Sequence, residues 1–176
     1  MQIADCASDQ VSKAQQSARV GMTIARTHDM ELVRSIMSHP AIWPHIHDDN
    51  TQDCEPLDHE GFYWLAVSDG EPAGVFLVHA TNSVCFEVHT CLLPRIWGQA
   101  ATVAASLCKA WVFGNTDCEK IITHVPAYNQ TALRFALRCG MKREGTNRAS
   151  YLKDGKLMDQ HLLGITKQEW KCQQPQ

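Results

Sequence analysis

Apolar residues recur along this chain with two periods, and the switches between them outline its elements. MTIAR (22–26) fits a short first strand, and Leu32, Val33, Ile36 and Met37 then fall at helical spacing. They predict a helix over 29–38, capped by His28 or Asp29 and ended by Pro40. FYWLAVSDGEPAGVFLVHA (62–80) reads as two strands joined at SDGEP, and SVCFEVHTCLLP (83–94) as a third, which makes an antiparallel meander. From there helices and strands alternate. A helix over 99–113 places Ala100, Val103, Ala104, Leu107 and Trp111 on one face, a strand covers 119–125, and a helix over 129–139 aligns Ala132, Phe135, Ala136 and Cys139. Such a β-α-β-α run implies a crossover and locally parallel pairing. KREGTNRASYL and KLMDQHLLGIT then form a hairpin through Asp154-Gly155. The class is α/β, with a mixed, mostly antiparallel sheet flanked by helices.

Three stretches lack a period. Residues 1–20 are small and polar and read as a flexible arm, residues 173–176 as a short tail, and 39–60, rich in proline, histidine and acids, as a long loop with about one helical turn. The remainder, 21–172, is one domain, in keeping with 176 residues of which 44% are hydrophobic and 20% charged. Charge narrows the partners. The net charge is −3 with no block of lysine or arginine, so the chain lacks the basic stripe that follows a nucleic acid backbone. No apolar run is long enough to cross a bilayer and the N-terminus has no signal-peptide core, so no membrane association and a cytoplasmic location are expected. The eight cysteines stand singly, without a CxxC pair. Cys85 and Cys91 would share one face of a strand roughly 20 Å apart, too far to bridge. Reduced thiols that pack in the core are expected.

The most informative stretch is LLPRIWGQAATVAASLCKAW (92–111). A strand ends at Leu93-Pro94, and a helix starts near Gln99 with its first N–H groups unpaired. Those donors and the positive helix end form an anion site. Gly98 permits a close approach, Ala100 and Ala101 keep the first turn open, and Arg95 adds a cation able to hold phosphate oxygens. The plainer alternative is a glycine used only for packing. A nicotinamide-binding crossover does not fit, because its three-glycine fingerprint is missing and Glu119 begins the next strand where an acid should end it.

RIWGQA, read as RxxGxA after an antiparallel strand, resembles the pyrophosphate loop of the GNAT (N-acetyltransferase) superfamily. YNQTALRFALRCGMKREG (128–145) is similar to a second block of that family, with Met141 in place of a phenylalanine. DGKLMDQHLLGITKQEW resembles the ending of the branch that acetylates ribosomal-protein N-termini. SIMSHPAIWPHIHDD together with FEVHTCLLP also resembles small GNAT-like proteins of tailed phages and prophages, some with head-assembly roles.

The resemblance implies a centrally splayed sheet and acetyl-CoA held by the backbone of Ile96, Trp97, Gly98, Gln99, Ala100 and Ala101. It adds Leu92, Leu93 and Arg95 before the loop, with Asn129, Ala132 and Phe135 on the following helix. Asn129 is also a natural helix N-cap, and both roles can hold at once. Trp97 is placed to cover the cofactor. The implied reaction is direct attack of a primary amine (a protein N-terminus, a lysine or a small amine) on the thioester, without a covalent enzyme intermediate. Glu87 sits eleven residues before Gly98, where the related branch has its base; the alternative is an ordinary ion pair. His89, two residues on and facing the same way, is the second candidate. The family's leaving-group tyrosine is replaced by Ala136, which leaves Tyr128 or water as the acid. That loss supports a second reading, a catalytically weak or inactive phage protein with an assembly or interaction role. Trp43, His45, His47, Asp48 and Asp49 fall in the family's acceptor loop, the two acids suiting a cationic acceptor, a solvated loop being the alternative. The histidine and acid spacing fits no standard zinc pattern, so no metal is expected. Exposed antiparallel sheet edges are compatible with a homodimer.

Overall fold

The computed structural model describes residues 21–174, and the predicted arm over 1–20 lies outside them. Seven strands form one sheet in the order β1-β2-β3-β4-β5-β7-β6. β1 (Met22–Arg26), β2 (Phe62–Asp69), β3 (Pro72–Ala80) and β4 (Cys85–Leu92) make a four-strand antiparallel meander. β4 then pairs in parallel with β5 (Lys120–Pro126), the crossover that the alternating pattern predicted. β6 (Lys142–Lys153) and β7 (Lys156–Thr166) form the closing hairpin, with β7 lying antiparallel between β5 and β6. Asp154 and Gly155 both take positive φ (52° and 69°), as a two-residue hairpin turn of this hand requires.

α1 (Met30–Met37) follows β1, and Asp29 caps it by accepting from the Leu32 N–H at 2.9 Å. α2 (Trp43–Ile46) is the single turn expected within the long loop. α3 (Gln99–Asn115) links β4 to β5, α4 (Gln130–Arg138) links β5 to β6, and α5 (Lys167–Cys172) is the last described element. Two cores result. The smaller packs Val33, Ile36 and Ile42 over Trp64, Val75 and Cys91; the larger joins α3 to Phe76, Val78, Phe86, Leu163 and Ile165 on the opposite sheet face. The buried stripe of α3 differs from the predicted one: Ala101, Ala104, Ala105, Cys108, Val112 and Phe113 are buried, whereas Ala100, Val103, Leu107 and Trp111 are only partly so. Three of the six are alanines, all in the first two turns, so the helix settles close to the sheet with its thin side there and buries bulk only at its far end.

The described cysteines are all free thiols. Burial pushes Cys91 up to about 12 and Cys139 up to about 11, which suits packing rather than acyl carriage. No described helix is long and apolar enough to cross a membrane.

α5 opens with a capping box: Thr166 Oγ1 accepts from the Glu169 N–H at 3.2 Å and Glu169 Oε2 accepts from the Thr166 N–H at 2.9 Å. The Lys142 ammonium donates to Glu169 Oε1 at 2.6 Å, and this bond, with those from Thr166, holds the carboxyl at about 2 rather than 4.5. A depressed folded-state pKa stabilises above the unfolded value and loses that contribution as pH falls through the folded one. Glu169→Gln should therefore lower Tm at neutral pH, and its gap to the parent should close between about pH 4.5 and about pH 2. A gap of constant size across a pH series of melts would contradict this.

Candidate active site

β4 and β5 pair over only Cys85↔Lys120, Phe86↔Ile121 and Glu87↔Ile122. Beyond that point β4 runs on to Leu92 beside β3, and β5 to Pro126 beside β7, with no further pairing between them. The sheet therefore splays at its centre, and the wedge opens toward the carboxyl ends of two parallel strands. Each of those ends leads into a helix, α3 and α4. Ligands of open α/β sheets bind in such a crevice, where helix N-termini converge.

At the mouth, Pro94–Ile96 form one 3-10 turn and Gly98 is the residue before α3. Gly98 adopts φ 87° and ψ −128°, and a Cβ built there would meet no atom within 4 Å. This backbone is glycine's because of its dihedrals, and the space beside it is open. The Ile96 and Trp97 N–H groups are spent inside the loop, on the Leu93 and Pro94 carbonyls at 3.1 Å each. The six-residue donor set expected from the sequence thus contracts to Gly98 through Ala101. In α3 the N–H groups of Gln99, Ala100 and Ala101 precede the first intrahelical acceptor, and no side chain caps them. Leu92 and Ile96 are buried and hold the loop to the core, while Leu93 packs against the smaller cluster.

Arg95 has a task that the sequence did not suggest. Its guanidinium Nη2 donates to the carbonyls of Glu71 at 2.6 Å and Pro72 at 2.9 Å, which braces the loop against the β2–β3 turn while the side chain stays exposed. Trp97 is 53% exposed, and its Nε1 donates to the Leu92 carbonyl, which fixes the indole at the mouth of the wedge. Asn129 caps α4, its Oδ1 accepting from the Ala132 N–H at 3.0 Å. Ala132 and Phe135 are partly buried against the larger core, and Ala136 is buried.

At the apex stands Glu87, whose side chain is 15% exposed. The sequence pairs it with His89, but its nearer partner is His124 of β5, whose Nδ1 lies 2.9 Å from Glu87 Oε1; His89 Nε2 is 3.8 Å from the same oxygen. His79 of β3 lies directly opposite Glu87 in the ladder, and its Nε2 is 3.1 Å from that of His89. The sequence reading missed His79 and His124. Alternation alone could have put His79, Glu87 and His89 on one face, since β3 and β4 are joined by a short turn; His124 depends on the parallel register and left no local signal. Loss of water around His89 draws its pKa below 6.5; Glu87 opposes this, and His79 and His124 reinforce it.

The loop over 39–60 reaches the β6–β7 hairpin. Asp49 accepts from the N–H groups of Asp154 at 2.9 Å and Gly155 at 2.7 Å, and Asp48 accepts from the Thr51 hydroxyl at 2.7 Å. These bonds hold both carboxyls below their ordinary range. The two acids expected to attract a cation are engaged in pinning the chain to itself. His47 is likewise fixed: its ring stacks on Trp43, its Nδ1 donates to the Trp43 carbonyl, and its own carbonyl accepts from the Tyr151 hydroxyl at 2.6 Å. His45 is exposed. Tyr128 is 38% exposed just before α4, with its ring 6.4 Å from that of Tyr151. Desolvation raises its pKa, so it keeps its proton at neutral pH.

The model of the acetyltransferase (GNAT) family matches residues 30–141, a span holding β2 to β5, the Gly98 loop and all of α4. The chain belongs to the GNAT family. Solved structures agree with a GNAT fold. One is the spermidine N-acetyltransferase from Vibrio cholerae in complex with CoA and spermine, with a TM-score of 0.74, 16% identity, and coverage of 86% of this chain and 98% of that one. Another is a chimera of the Vibrio cholerae enzyme SpeG with hSSAT, with a TM-score of 0.73, 15% identity, and coverage of 86% and 98%. No curated protein matches the sequence. GNAT acetyltransferases use acetyl-CoA, and the wedge and helix N-terminus described above suit an anionic ligand with a narrow arm.

Proposed function

We propose that this GNAT protein transfers the acetyl group of acetyl-CoA to a primary amine by direct attack. The observation that carries the reading is the wedge itself: an uncapped helix N-terminus at its mouth and a carboxylate at its apex, on strands that pair only over three residues. Acetyl-CoA supplies the acyl group as an activated thioester. The chain does the rest. Gly98 to Ala101 offer N–H groups to the pyrophosphate, and the splayed edges of β4 and β5 leave backbone groups free for the pantetheine amides. Glu87 takes the ammonium proton of the acceptor, with His124 holding the carboxylate in place and His89 beside it. Tyr128, protonated at neutral pH, is the acid available to the leaving thiolate, since Ala136 is buried and carries no proton.

The two structures above are of a spermidine N-acetyltransferase and a chimera of it, one in complex with spermine, which makes spermidine and spermine the first acceptors to try. With Asp48 and Asp49 engaged in the chain, a compact amine is favoured over a long polycation. The test follows release of the CoA thiol with spermidine, spermine, a small monoamine and short peptides with free N-termini. Amine-dependent release for at least one acceptor is expected. Acetyl-CoA binding without release across the panel would favour the second reading, a GNAT-like interaction protein, for which Ala136 is the supporting observation.

A further inference from the structure

We propose that His79, Glu87 and His89 form a binding site for one divalent transition-metal ion, of the zinc and cobalt class, at the apex of the wedge. The three donor atoms lie within 4.8 Å of one another. Register fixes them. His79 is directly opposite Glu87, and His89 is two residues further along β4, so all three side chains leave one face of a continuous ladder. The same face is apolar at Val75, Leu77 and Cys91 under α1 and turns polar only here.

Two of the three spacings come close to those of metal ligands. Tetrahedral bonds of about 2.0–2.1 Å to zinc put neighbouring ligand atoms about 3.3 Å apart. The two imidazole Nε2 atoms are 3.1 Å apart and Glu87 Oε1 is 3.8 Å from His89 Nε2. The imidazoles stack at 5.3 Å with 15° between planes, and Phe62 packs on His79 at 5.6 Å, so the two rings hold each other in place. His124 Nδ1 lies 2.9 Å from the same Glu87 Oε1, a hydrogen-bond partner outside the ligand set of the kind that ligating carboxylates keep in metal centres. Two imidazoles and one carboxylate suit a borderline ion and leave a coordination position open to the wedge. The competing account is a simple His79–His89 hydrogen bond with no ion.

Metal on Glu87 and a proton on Glu87 exclude each other, so bound metal silences acetyl transfer; this consequence rests on the proposed base role, whereas the site does not. The test titrates the full-length protein with cobalt(II) and records its visible spectrum. Expected is one Co2+ per chain, d–d bands without a thiolate charge-transfer band, and affinity lowered about tenfold or more in His79→Gln and again in His79→Gln/His89→Gln. Circular dichroism checks that each variant is folded. No saturable binding, a thiolate band, or affinity unchanged in the folded double variant would overturn the site. Binding at the site with acetyl transfer unaffected would support the site and overturn Glu87 as the base.

Discussion

Gly98→Asp should abolish acetyl-CoA binding, and the size of that loss separates an anion site from a turn. Any side chain at φ 87° and ψ −128° is strained, by about 1–3 kcal/mol, so some loss of stability is expected from every substitution there. No protein atom lies within 4 Å of the new Cβ, so strain is the whole cost in the free protein. Gly98→Ala measures that strain. Asp adds a negative charge where the pyrophosphate belongs, and two unit charges about 4 Å apart repel by roughly 4 kcal/mol near a protein surface. Affinity for acetyl-CoA in calorimetry should therefore fall about a hundredfold or more further in the Asp variant than in the Ala variant. Equal affinities for the two variants would mean that no anion sits at α3.

Glu87→Gln should cut turnover by about a hundredfold while leaving acetyl-CoA affinity within about twofold. The amide oxygen of Gln still accepts from His124 Nδ1, so the apex geometry persists and only the proton acceptor is lost. The anion site lies at the other end of β4, which is why binding and turnover should part. Turnover equal to the parent would pass the base role to His89 or to water.

Much of this was legible in the chain. The α/β order and the Gly98 loop follow from periodicity and from where glycine and alanine stand, because those choices express local backbone demands. What escaped depends on partners distant in sequence. Arg95 reads only as a phosphate ligand until Glu71 and Pro72 are seen to accept from its Nη2, and Asp49 reads as an acceptor site until its bonds to Asp154 and Gly155 appear. His124 joins Glu87 only because the parallel pairing stops after three residues, and the length of a ladder is not a local property. The donors at the loop were over-counted for a different reason: the 3-10 turn consumes the Ile96 and Trp97 N–H groups before the helix begins.

The wedge between β4 and β5 as an acetyl-CoA site is the central claim, and calorimetric titration of the purified protein with acetyl-CoA, with NADH as control, tests it most directly. Saturable binding of one acetyl-CoA per chain and no binding of NADH is the predicted result. A folded protein that takes up neither would contradict it, and would leave the Gly98 loop as a structural turn in a GNAT fold.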